Sequence, residues 1–179
     1  MKVLKNLRLF PYLVVLMRVL FGLGWLLAGV TKITDKLWFK EPGLYLNDYL
    51  INSLQASNVP TFYKIFIENI ALEHLMVLNY FIPIVQILLG IFLIAGLLTI
   101  PSILACIIMH INFVLSGNMN LMSLILYTSA FSLIIFRSEI YQLSLDNYFN
   151  LPTLLKPQRN NKEKNVFMSY KKEKISINS

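Results

Sequence analysis

Apolar residues in this chain gather in four long blocks, about 11–33, 75–98, 101–115 and 121–136. Each is close to the roughly 20 residues that cross about 30 Å of hydrocarbon at 1.5 Å per residue. The third and fourth are short and lean on flanking residues such as Ser116 and Arg137. Thr99-Ile100-Pro101 reads as a tight turn between the second and third blocks, because proline disfavours helix at the residue before it. Ser116-Gly117-Asn118 reads as the next turn. The pattern therefore predicts an all-α, integral membrane four-helix bundle over residues 1–150, with one long first loop from Thr34 to His74.

Composition agrees with lipid as the solvent for these blocks. Hydrophobic residues make up 56% of the chain, charged residues only 14%, and mean hydropathy is +0.62, whereas soluble domains are about 25% charged. The placement of lysine and arginine sets the orientation. Lys2, Lys5 and Arg8 precede the first block, and Arg137, Lys156, Arg159 and the later lysines follow the fourth. The first loop carries Lys36, Lys40 and Lys64 against Asp35, Glu41, Asp48, Glu68 and Glu73. Both termini are thus expected in the cytoplasm, with the first loop extracytoplasmic and the protein multi-pass in the cell membrane. A basic start before an apolar run also describes a signal peptide, but Arg18, the length of the run and the lack of a small-residue cleavage site favour a retained span. Residues 151–179 read as a basic, disordered tail, either solvated or drawn to anionic lipid headgroups, and nucleic acid is not implied.

Several chemistries are excluded at this stage. Cys106 is the single cysteine, so the chain forms no internal disulfide and has no dithiol pair. With His74 and His110 as its two histidines, no metal site is expected. There is no phosphate-cradling glycine loop, dinucleotide fingerprint or nucleophile elbow.

What remains is a set of polar residues inside the blocks, each needing a partner or a wet cavity. Arg18, Gly22, Trp25, Gly29 and Lys32 recur at steps of four and three, which places them on one helical face. The glycines allow a second helix to approach closely. For Arg18 and Lys32 the alternative is snorkelling from the two ends of the span. Asn79, Pro83, Gln86 and Gly90 share a face of the second block, where Gln86 serves either as interhelical glue or as a ligand contact. In the third block His110 lies in the outer half, either hydrogen-bonded to a neighbouring helix or handling a proton or anion. Lys32, Trp25, Gln86, His110 and Asn112 are the candidate pocket residues, and Gly22, Gly29 and Gly90 the candidate packing residues. No catalytic residue is assigned.

The stretch Leu16 to Ile33, with Arg18, Gly22, Gly24, Ala28-Gly29 and Lys32, resembles the opening helix of the DoxX family. Gln86 to Thr99, with Gly90 and Gly96-Leu97-Leu98-Thr99, is similar to that family's second helix and turn, and His110-Ile111-Asn112-Phe113 and Ser144-Leu145-Asp146 are similar to its later motifs. The long first loop, with Trp38-Phe39 and Phe62-Tyr63-Lys64, resembles the DoxD branch, which includes the small subunit of thiosulfate:quinone oxidoreductase. Gln86 stands where relatives often carry a carboxylate, and Ile100 where they often carry arginine.

The resemblance implies a membrane subunit linked to quinone-dependent redox chemistry, with thiosulfate as a candidate electron donor. Because no residue set here carries electrons, catalysis would need a bound quinone, a second redox subunit or a soluble redox enzyme, and no covalently bound cofactor is expected. The alternative is a non-catalytic membrane scaffold that anchors soluble redox or stress-response enzymes. The orientation is directly testable: reporters fused after Asn118 or within residues 43–58 should read extracytoplasmic, and one after Asn160 cytoplasmic. A cytoplasmic signal from the first loop would invert every depth inferred from charge.

Overall fold

The computed structural model describes residues 9–118, 121–137, 139–141 and 143–149, so the basic tail and the N-terminal Lys2, Lys5 and Arg8 lie outside the described residues. Among the described residues all regular structure is helical. Helix α1 spans Phe10–Thr34, with Pro11 in its first turn, where a missing N–H leaves no bond unmade. Helix α4 (Leu75–Ala95) follows the long loop, α5 is Thr99–Leu115, α6 is Leu121–Ile135 and α7 is Leu145–Tyr148. Two of these, α1 with 25 residues and α4 with 21, are long and apolar enough to cross a membrane.

The long loop is itself helical, which the block pattern does not announce. It contains α2 (Leu44–Gln55) and α3 (Thr61–Phe66), and α3 runs directly into a π-helical turn at Ile67–Ala71. Leu46 and Leu50 of α2 and Tyr63, Ile67 and Ala71 of the second segment bury one face each around Trp38 and Val59, forming a second small core at one end of the molecule. The main core lies among α1, α4, α5 and α6, around Phe21, Trp25, Leu89, Leu93, Ile103 and Cys106.

Helices α1 and α4 make the most extensive contact, and glycines decide how close they come. A Cβ at Gly22 would meet Leu93 Cβ at 2.9 Å, one at Gly29 would meet the Pro83 carbonyl at 2.9 Å, and one at Gly90 would meet Leu26 N at 2.6 Å. Backbone therefore lies against backbone over two turns of each helix.

The second turn corrects the sequence reading. Helix α4 ends at Ala95 and α5 begins at Thr99, so the break is Gly96-Leu97-Leu98 and not Thr99-Ile100-Pro101. Its cause lies 47 residues downstream. Asp146, buried, accepts hydrogen bonds from Leu98 N at 2.7 Å, Thr99 N at 2.9 Å and the Thr99 hydroxyl at 2.8 Å. These satisfy the first orphan N–H groups of α5, so the helix starts before Pro101, whose ring then sits harmlessly in the first turn. Gly96, at φ +69°, donates no side chain because its Cβ would strike Ser144 Cβ at 2.5 Å and Arg18 Nη1 at 2.8 Å. Helix α6 likewise ends one residue before the apolar block does, at Ile135, while Ser116-Gly117-Asn118 is a turn with Gly117 at φ +89°.

Arg18 does not snorkel. It is 1% exposed and donates from Nη1 to the Ile140 carbonyl at 2.5 Å and from Nη2 to the Leu143 carbonyl at 3.1 Å. Asp146 is the opposite charge that it feels. Replacing Asp146 with alanine should destabilise the protein by about 3 to 5 kcal/mol, the usual cost of stripping one member from a buried charged network. Gly90→Leu should cost about 1 to 3 kcal/mol through overpacking. Equilibrium unfolding in detergent micelles checks both, and unchanged midpoints would detach these groups from the stability of the fold.

Candidate functional site

A cavity of about 210 Å³ lies between the end of α1, the helical loop and the facing sides of α4, α5 and α6. Helix α1 supplies Trp25 and Lys32, seven residues apart and so on one face two turns from each other. Gln86 of α4 and His110 of α5 complete the deep part of the wall, and Phe113 stands nearer the loop. The glycine contact between α1 and α4 is what holds Gln86 level with Trp25.

The loop supplies a wall that the sequence reading did not include: Lys36, Trp38, Tyr45, Leu46 and Tyr49. Leu37 at φ +53° turns the chain back at the end of α1, and Trp38 N donates to the Lys32 carbonyl at 3.1 Å. Asn79 of α4 then holds this turn by donating to the Trp38 carbonyl at 2.7 Å. Tyr45 and Tyr49 are one turn apart on α2, a spacing visible in the sequence but without meaning until α2 is known to lie over the bundle.

The electrostatics are one-sided. Among the described residues no carboxylate lines the cavity, whereas two ammonium groups do. Lys36 Nζ donates to the Tyr45 hydroxyl at 2.5 Å and lies 4.5 Å from its ring centroid. Lys32 Nζ makes one contact of 3.3 Å with the Ala28 carbonyl, one turn back, and sits 5.3 Å and 5.9 Å from the ring centroids of Phe113 and Trp38. An ammonium has three donors, so Lys32 keeps hydrogen-bonding capacity while ring faces supply part of the favourable field. The buried Gln86 Oε1 and the indole N–H groups of Trp25 and Trp38 have no hydrogen-bond partner among the described residues.

His110 plays a narrower part than its type allows. Its Nε2 lies 3.2 Å from the Ser123 carbonyl, which can only accept, so Nε2 carries the proton and, in the neutral ring, Nδ1 remains as acceptor. Its ring packs edge-on against Tyr127 at 4.5 Å and Trp25 at 6.4 Å. Asn112 is a correction: it does not line the cavity. Its amide donates to the Ile108 carbonyl at 2.8 Å, and its side-chain oxygen accepts from Tyr63 at 3.2 Å. Cys106 is fully buried in the main core.

Two tyrosines lock the loop onto the end of α5. The Ser116 hydroxyl donates to the Phe113 carbonyl, so in its contact with Tyr49 it accepts and the phenol donates. Tyr63 donates to Asn112 at both the backbone and side-chain oxygens. Burial raises the Tyr49 phenol above its ordinary value and pushes Tyr63 up to about 12, so both remain donors across physiological pH. No group of three or more metal-ligating side chains occurs among the described residues.

No protein-family model, curated protein or solved structure matches this chain. The loop contact can be tested on its own: Tyr49→Phe should cost about 1 kcal/mol, Ser116→Ala somewhat more because it also deletes the bond to Phe113, and the double variant little more than Ser116→Ala alone, because the Tyr49 bond is shared. Additive losses in a double-mutant cycle would show that the two groups act separately.

Proposed function

We propose that this chain is a four-span protein of the cell membrane, with both termini cytoplasmic, whose loop-side cavity binds a small anion or a quinone carbonyl within a quinone-linked oxidoreductase. The membrane reading is supported by the outer surfaces of the helices. Leu13, Leu16, Leu20 and Leu27 of α1, Ile84, Leu88 and Ile91 of α4, Leu104, Ile108 and Ile111 of α5, and Leu124, Ile125, Phe131 and Ile135 of α6 are all exposed. Apolar surface on all sides of a bundle suits hydrocarbon and would aggregate in water. Helices α5 and α6, at 17 and 15 residues, then cross with help from their flanking turns.

The functional reading rests on one observation: Lys32, Trp25, Gln86 and His110, drawn from three helices, surround one cavity that Lys36 joins and no carboxylate enters. The same residues paired closely with one another would have favoured a passive scaffold. At about 210 Å³ the cavity admits one small guest, being below the ~300 Å³ at which drug-sized ligands begin to fit. The donors suit an anion or carbonyl oxygen: Lys32 and Lys36 supply charge and N–H groups, while Trp25 and Gln86 shape the wall. The rings of Trp38 and Phe113 shield Lys32 from water and strengthen its pull. With glutamine at position 86 the chain has no carboxylate there to take up a proton, so this side chain shapes the wall and takes no part in proton transfer.

The cavity would hold one thiosulfate or one quinone carbonyl and a second redox subunit the other reactants; a bound quinone would supply the redox capacity, since joining two thiosulfates through a new S–S bond would release the two electrons that, with two protons, reduce it. The resemblance to the DoxD branch is what selects thiosulfate as donor and a second redox subunit as partner. In membranes carrying the full chain, thiosulfate should bind and support quinone reduction. Lys32→Met should weaken thiosulfate binding about tenfold or more, the value of a charged hydrogen bond, while Asn112→Ala should leave it unchanged. His110→Phe also breaks the bond to Ser123, so Lys36→Met is the better second variant and should act in the same direction. Undiminished binding in both lysine variants would remove the site. A parent protein that neither binds thiosulfate nor reduces quinone would leave the scaffold reading in its place.

A further inference from the structure

The segment made of α3 and its π-helical turn has an arrangement unlike that of a loop standing in water. One side, formed by Tyr63, Ile67 and Ala71, is buried in the second core. The opposite side presents Phe62, Ile65, Phe66 and Ile70, with Phe62 64% and Ile65 54% exposed. The only polar side chain among these, Asn69, turns its amide back to the Ile65 carbonyl at 2.9 Å. Lys64 and Glu68, four residues apart, form a charged strip along one edge between the two apolar sides.

Depth gives the second observation. Helices α4 and α5 share the 96–98 turn, so heights can be counted from it at a rise of roughly 1.5 Å per residue. Leu75, at the top of α4, is then roughly 30 Å up, and Asn112 roughly 20 Å up α5. Tyr63 bonds to Asn112, and the core beneath α3 includes Ile82, a full two turns below the top of α4. The segment therefore sits beside the bundle below the top of α4, at the level where α5 is already ending.

We infer that this segment lies in the outer leaflet, its Phe62–Ile65–Phe66–Ile70 side against lipid acyl chains and its Lys64–Glu68 edge toward the headgroups. The lipid occupant is favoured because the apolar side is continuous in the chain with the exposed Met76, Val77, Tyr80, Phe81 and Ile84 of α4. A helix with one charged edge and an aromatic and aliphatic face is what an interfacial position selects. The segment also fills the height that the short α5 leaves open. This inference rests on the membrane reading given above and extends it to part of the chain that charge counting assigns to the aqueous loop.

The test uses the full chain in phosphatidylcholine–phosphatidylglycerol vesicles, with single nitroxide labels at Phe62→Cys, Ile65→Cys, Ile70→Cys and Lys64→Cys and with buried Cys106 left in place. Phe81→Cys on α4 reports the membrane reading by itself. Relaxation by dissolved oxygen should exceed that by a water-soluble nickel chelate at positions 62, 65 and 70, and the order should reverse at 64. Nickel access at 65 together with oxygen access at 81 would overturn the inference and leave the membrane reading standing. Shielding of 65 from both agents would also overturn it, since a protein partner would then cover the face. Nickel access at 81 would remove the membrane reading, and this inference with it.

Discussion

The close approach of α1 to α4 is the constraint from which the other arrangements follow. Gly22, Gly29 and Gly90 let main chain rest on main chain, so neither helix can slide or rotate without driving a backbone atom into its neighbour. In lipid there is no hydrophobic force to hold two apolar helices together, and close packing over glycine is the available substitute. The contact sets a register as well as an affinity. It places Trp25 level with Gln86 and carries Lys32 up to the Trp38 turn, which Asn79 of the same α4 secures from the other side.

At the opposite end the structure accepts a buried arginine and a buried aspartate. Arg18 closes the Ile140 and Leu143 carbonyls, and Asp146 closes the start of α5. Such groups contribute little net stability compared with well-packed apolar residues, but each half is costly once the other is gone. They make the segment after α6 a common requirement: it must be in place before either the Arg18 guanidinium of α1 or the first N–H groups of α5 are satisfied. The cavity end is governed differently, since its charged groups are all of one sign and the protein leaves part of their bonding capacity unused.

The two long helices are legible from block length, and the glycine faces from their spacing, because both depend on residues near one another in sequence. The start of α5 is not, because it depends on a carboxylate 47 residues away, and local proline rules point two residues too late. The helical loop was readable in part: Leu46 and Leu50, or Tyr63, Ile67 and Ala71, have helical spacing, but hydropathy averaged over a membrane-length window hides segments of that size. Asn112 was included although helical spacing already sets it on a different side of α5 from His110, and that direction hands it to Tyr63. Lys36, Trp38 and the α2 tyrosines could not be placed at all without knowing that the loop folds back over the end of α1.

The Asp146 cap has a consequence for the order of events during synthesis. A ribosome completes the α4–α5 hairpin well before it reaches position 146, so for that interval the first N–H groups of α5 have only water, lipid headgroups or a transient 3₁₀ turn to satisfy them. The hairpin is then a provisional structure, free to fray or shift at its turn, and it becomes permanent only when the last described helix swings back to it. Domains commonly mature from the N-terminus onward. Here the final few described residues are the latch, and a nascent chain released before Asp146 would carry all four apolar helices and still lack the group that fixes where two of them begin and end.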